Sequence, residues 1–270
     1  MATLVPPAEP SGDGPPPVAA AGLSRRLLGY EVILVLALSL GASGVYAFLD
    51  LLKGLVATKV PLAAQTVVLA APRDTHVWLD VTYQIVDLAT QLAPVLLVAY
   101  LLVRSAESMA VIGVDRRQPR RDGLAGAGLA LLIGGVGLVA LLIGKALGLN
   151  RLIEVGGSST RWWSIALLVA SAAGSAISEE VIVGGYLLHR FRQLGWSDNA
   201  ALLTAAVVRG SYHLYQGWGG AIDNLVLGLF FGRIFQRRGR VMPLLLAHFL
   251  VDAVAYVGYV ELKGKVSWLP

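Results

Sequence analysis

The sequence predicts an all-α fold, a polytopic transmembrane helix bundle of about seven spans (six to eight). Three observations carry that prediction. The 270-residue chain is 56% hydrophobic and only 14% charged, whereas about a quarter of a soluble chain is charged. Several apolar runs reach the ~20 residues that a helix needs to cross a bilayer. Arginines gather at the ends of those runs, as they do in membrane proteins. That placement also explains the pI of about 9.6, so the expected partner is membrane lipid and not nucleic acid. The chain has no cysteine, which excludes disulfides, thiolate zinc sites and a cysteine nucleophile.

Taken in order, residues 1–24 are rich in Pro, Gly and Ala. They lack the basic-then-apolar start of a signal peptide and read as a disordered tail. A helical domain follows over 25–270, with expected spans at 30–52, 78–103, 123–147, 163–188, 199–218, 221–235 and 242–262. The apolar segment 60–71 is too short to span and reads as an interfacial or re-entrant piece. With the N-terminus inside, the inside loops hold tight arginine clusters: Arg25 and Arg26; Arg104, Arg116, Arg117, Arg120 and Arg121; Arg190 and Arg192; Arg233, Arg237, Arg238 and Arg240. The outside loops hold fewer and more scattered basic residues. This asymmetry sets the expected orientation, with a cytoplasmic N-terminus. No internal repeat is evident, which weighs against an inverted-repeat transporter.

The fourth expected span contains SAISEEVIVGGYLLHR, residues 175–190. An ionisable residue at the centre of a span costs roughly 2.5–3.5 kcal/mol on insertion scales. Glu179 and Glu180 therefore need a reason to be there. Neighbours on a helix point ~100° apart, so both can face a polar interior but not the same point. Two like charges this close do not both ionise freely. One carboxyl beside one carboxylate is the arrangement that general acid–base catalysis wants. The plain alternative is a pair of structural hydrogen-bonding groups.

Two histidines lie in later spans. His213 falls in RGSYHLYQG and His248 in PLLLAHFLVD, with Asp252 four residues further on the same helix face. Counting from the span ends places Glu180, His213 and His248 at similar depths, ~10–21 Å from the inside ends. His189 reads as an interfacial residue near a helix C-terminus, where a cation is favoured. His76 reads as a solvated loop residue. The small residues Ala172, Gly174, Ser175, Ala176 and Ser178 suit close helix packing.

The order Glu-Glu, then a histidine in the next span, then His-x-x-x-Asp resembles the CPBP family of CAAX-processing and bacteriocin-processing intramembrane proteases, also called the Abi family. Its motifs EExxxR, FxxxH and HxxxN/D correspond here to Glu179 to Gly184, Arg209 to His213, and His248 to Asp252. The resemblance covers roughly 160–260, which is the expected protease-like core. The chain departs from the family twice, at Gly184 in place of the motif arginine and at Arg209 in place of the motif phenylalanine. Arg209 lies one turn before His213. It is expected to supply the cation that position 184 lacks by pairing with Glu179 or Glu180; Asp223 and Asp87 are the alternative partners.

The resemblance implies an intramembrane endopeptidase like the type II CAAX prenyl proteases, acting on a peptide or membrane-protein substrate. Glu179 would activate a water and His213 would help hold it. His248 and Asp252 would donate to the oxyanion, and Glu180 would orient the others. The expected chemistry needs no cofactor. The alternative is zinc held by Glu180, His213 and His248. Two non-hydrolytic readings compete, a proton-coupled membrane transporter and a catalytically inert scaffold, the latter kept open by the loss of the motif arginine. The compact layout suggests a bacterial inner membrane. Nothing in the sequence selects a prenylated substrate.

Overall fold

The computed structural model describes residues 23–156 and 161–266. The expected tail therefore lies almost wholly outside the described residues. The bundle is helical as expected, in the order α1 (Arg25–Ala37), α2 (Leu40–Val56), α3 (Val77–Arg104), α4 (Pro119–Ala146), α5 (Trp162–Glu179), a π-helical stretch Glu180–Leu187, α6 (Leu188–Gln193), α7 (Asp198–Ser211), α8 (Trp218–Arg238) and α9 (Met242–Leu262). Side-chain caps start two of them: Ser24 accepts from Leu27 N and Ser197 from Ala200 N. Pro119 and Pro243 stand at the first turns of α4 and α9, where a missing N–H costs nothing.

Four described helices are long and apolar enough to cross a membrane: α3, α4, the continuous 163–193 rod and α9. The pair α1–α2, bent by 47°, makes a fifth if it is one span. The expected fifth and sixth spans are helices, α7 and α8, that do not pass the same test of length and apolarity. α7 has 14 residues, ~21 Å of helix against a hydrocarbon layer of ~30 Å. α8 carries Asp223, Arg233, Arg237 and Arg238. Together they form a hairpin that starts and ends on one side, where Arg233 donates to Asn199 (2.7 Å) and Gln236 to the Asp198 carbonyl (2.7 Å). Its glycines let the two backbones approach. A Cβ at Gly228 would lie 3.0 Å from the Ala206 Cα, and one at Gly210 would lie 2.8 Å from the Ala221 carbonyl oxygen.

The segment expected to be interfacial is a 3₁₀ turn, Leu62–Ala64, followed by a strand β1, Thr66–Leu69. It pairs in parallel with β2, Leu152–Val155, from Thr66 opposite Leu152 to Leu69 opposite Val155. This ribbon caps the end of the bundle opposite the arginine clusters. Next to it, Asn150 forms a bridge to Gly217, and Arg151 N donates to the Gln216 carbonyl (2.8 Å). Gly217 holds φ +100 there, and a Cβ would meet the Leu149 carbonyl at 2.5 Å, so only glycine fits. The tip of the α7–α8 hairpin is thereby tied to the ribbon.

The core centres on the π-helical stretch. Val181, Ile182, Val183, Tyr186 and Leu187 pack with Val98, Leu102, Ile112, Phe231 and Leu244. Gly185 makes the fit possible, since a Cβ there would come within 2.7 Å of Val241 Cγ2. At the arginine-rich end the fully buried Arg190 donates to Glu107 Oε2 (2.9 Å) and Ser105 Oγ (2.8 Å). It also faces Glu31 Oε2 at 3.4 Å. His189 adds a bond to Glu107 Oε1 at 2.9 Å, so the interfacial histidine of the sequence reading is an anchoring residue in this network.

Candidate active site

Glu179 closes α5 and Glu180 opens the π-helical stretch. A π-turn widens the helix by one residue and is frequent at functional sites. It lets two neighbouring carboxylates meet partners on two different helices. Glu180 is fully buried. Its Oε1 accepts from Arg209 Nη1 at 2.6 Å and lies 2.9 Å from His248 Nδ1. Glu179 sits at the edge, with its side chain 12% exposed. Its Oε2 accepts from the Tyr212 hydroxyl at 3.0 Å and stands 3.5 Å from Arg209 Nη2.

Arg209 joins the two carboxylates. It is 1% exposed and comes from the last turn of α7. Its guanidinium carbon lies 5.7 Å from the Phe231 ring centroid, a cation–π distance. A buried guanidinium needs a compensating anion, and here it has two. The expected pairing with Glu179 or Glu180 is thus present with both. Asp87, one of the alternative partners, instead meets Arg73 at 3.1 Å. Gly184 makes room for the pair. A Cβ at this position would stand 2.8 Å from Glu180 Oε2, so the carboxylate occupies the space beside the glycine.

His248 enters from the second turn of α9. Its Nδ1 faces Glu180 and its Nε2 faces Asp252 Oδ2 at 3.3 Å. Asp252, at 24% side-chain exposure, is the open end of the chain of contacts. His213 sits differently from its expected place. α7 stops at Ser211, and His213 lies beyond it, in the turn that leads to α8. Its Nδ1 is 3.0 Å from the Arg209 carbonyl. A carbonyl only accepts, so Nδ1 carries a proton and Nε2 is left for another partner. The ring packs between Tyr212 (4.7 Å) and Tyr215 (6.1 Å).

The structure thus brings Glu179, Glu180, Arg209, His248 and Asp252 into one chain of hydrogen bonds and ion pairs, with His213 beside it. Tyr212, Tyr215 and Tyr256 also face this cluster, and the sequence reading did not single them out. Tyr256 carries a legible signal, one turn beyond Asp252 on the face that begins with His248. Tyr212 carries only its adjacency to His213. The zinc set Glu180, His213 and His248 does not fit a metal. Among the described residues no three His, Asp or Glu side chains are placed to hold one, and Arg209 already binds Glu180 and reaches to 3.4 Å from His248 Nδ1.

Fold and site together define an integral membrane protein whose helical bundle encloses a carboxylate–guanidinium–imidazole cluster. Residues 161–254 match the model of a protease family, the Rce1-like type II CAAX prenyl endopeptidases. This is the relationship that the three motifs pointed to, and the match contains all of them. The first half of the chain lies outside it. No curated protein and no solved structure matches the chain.

Proposed function

We propose that this protein is an intramembrane endopeptidase that hydrolyses a peptide bond with a water activated by Glu179, without a metal. One observation carries the reading: of two adjacent buried carboxylates, Glu180 is fully sealed while Glu179 keeps 12% of its side chain exposed. Glu180 is sealed and held by Arg209 and His248. Glu179 reaches the edge of the cluster, oriented by Tyr212. A general base must reach solvent-derived water, and a positioning residue need not.

In this mechanism the Glu179 carboxylate takes a proton from water as the water oxygen bonds to the scissile carbonyl carbon. His213 Nε2 accepts from the same water and fixes its approach. The tetrahedral oxyanion is met by His248 Nε2, turning from Asp252 at the open end, and by Asp252 when protonated. Collapse breaks the C–N bond, and the proton on Glu179 goes to the leaving amine. Glu180 and Arg209 hold this array and touch no substrate. The reading includes a bundle held in a bacterial inner membrane with its N-terminus in the cytoplasm, and the arginine clusters at one end support that orientation.

The test is cleavage of a peptide library by purified protein in detergent, wild type beside Glu179→Gln and His213→Ala, with and without a chelator. Wild-type cleavage that both substitutions lower by at least about 100-fold is expected, with no effect of the chelator. Cleavage that survives both substitutions sinks the reading, and chelator sensitivity sinks its metal-free form. A transporter would lose flux in the same variants, and an inert scaffold would lose neither activity.

A further inference from the structure

The loop before α4 and the loop between α8 and α9 are distant in sequence and adjacent in space. Val241 N donates to the Ile112 carbonyl (3.0 Å), and a Cβ at Gly113 would meet the Gly239 carbonyl at 2.6 Å. Segments 113–122 and 236–240 together hold seven arginines against two aspartates, a local excess equal to the formal +5 of the whole chain. Both aspartates are occupied by one arginine. Arg240 donates to Asp122 through Nε (3.0 Å) and Nη2 (2.6 Å), and to Asp115 through Nη1 (3.2 Å) and Nη2 (3.1 Å). The other six, Arg116, Arg117, Arg120, Arg121, Arg237 and Arg238, are exposed. Among the described residues only Arg117 of these six reaches an acid, Asp115 at 3.9 Å.

We infer that this face binds the phosphate of anionic phospholipid headgroups. Two observations choose lipid over a soluble anion. α4 has 28 residues, ~42 Å of helix against a hydrocarbon layer of ~30 Å, so its first turn stands at headgroup depth. An open groove of about 450 Å³ runs along that turn, lined by Arg117, Gln118, Pro119, Arg120 and Arg121. Guanidinium forks match phosphate oxygens in pairs. A topology signal needs only charge in the loop. Here the local acids are bound to Arg240, which leaves a guanidinium face whose one remaining acid contact is the 3.9 Å pair of Arg117 with Asp115.

The test is native mass spectrometry of the full chain purified from mixed phosphatidylglycerol and phosphatidylcholine. Wild type is compared with Arg117→Gln/Arg120→Gln/Arg121→Gln and with a control, Lys53→Gln/Lys59→Gln/Arg73→Gln, at the opposite end. The ratio of retained phosphatidylglycerol to phosphatidylcholine is expected to fall at least about tenfold in the first variant and to hold in the control. In wild type alone the ratio is expected to fall with added salt, a reading that needs no variant to fold. Equal ratios in all three proteins, or no preference in wild type, would overturn the inference. Full displacement by millimolar inorganic phosphate would overturn its assignment to lipid.

Discussion

Arg209 and Glu180 meet at 2.6 Å with neither side chain open to solvent. Such a pair is costly to form and more costly to break, because removing one partner strands the other charge. Breaking a buried pair costs about 3–5 kcal/mol. Arg209→Met is therefore expected to lower folded yield in detergent about as much as loss of a glutamate does, with Arg209→Met/Glu180→Gln recovering part of it; size-exclusion profiles read the outcome. Gly184 belongs to the same unit. Gly184→Ala pushes a methyl to 2.8 Å from Glu180 Oε2 and is expected to cost about 1–3 kcal/mol of thermal stability. Gly184→Arg alone brings a second guanidinium to one carboxylate. If Arg209 stands in for the family's motif arginine, Gly184→Arg/Arg209→Phe will be more stable than the sum of its singles predicts. Additive losses would show that the two positions are not exchangeable.

At the scale of elements, the π-helical stretch and the α7–α8 hairpin tip set the geometry. The first gives Glu179 and Glu180 different partners, Tyr212 and His248, beside the Arg209 they share. The second carries His213 off the helix end and is held from outside by Arg151. This buried residue bonds the Asp50 carboxylate, the Asp50 carbonyl (3.1 Å) and the Tyr215 carbonyl (3.0 Å). Hydrogen bonds to charged groups contribute about 1.5–3 kcal/mol each. Arg151→Ala is expected to speed amide hydrogen exchange in 213–219 while leaving α9 protected. Unchanged exchange in the tip would mean that the Asn150–Gly217 bridge suffices.

For the whole molecule, the ion pairs at the arginine-rich end give a pH dependence. Burial alone would raise the Glu107 carboxyl, but the His189 hydrogen bond and the charges of His189 and Arg190 outweigh it and hold the group below its usual range. Asp115 is also held low, first by its hydrogen bond from Arg240 and then by the Arg117 backbone N–H. A carboxylate depressed by folding stabilises above its unfolded pKa, and that stability is lost as pH falls through the folded value. On the account of these two carboxylates, melting in detergent is therefore expected to drop below about pH 4. Asp115→Asn should start lower at neutral pH and lose less on acidification. Parallel curves for the two proteins would show that other carboxylates govern the acid limb.

The sequence by itself determined the helical membrane class, because apolar runs of spanning length and arginines at their ends follow from the cost of placing polar groups in hydrocarbon. It also singled out Glu179, Glu180, His248 and Asp252, local patterns whose cost in a span asks for a reason. The pairing of Arg209 was legible for the same reason: a cation so near the histidine needed an anion. Only the tertiary structure decided which glutamate is sealed. Residues 179 and 180 are equivalent by hydropathy, and burial depends on what packs beside each. It also decided that His213 stands beyond a helix end, that segment 60–71 is partly a strand, and how closely α7 and α8 approach. Each of these rests on long-range contacts, from Asn150 to Gly217, from Thr66 to Leu152 and from Gly228 to Ala206, which no local period encodes.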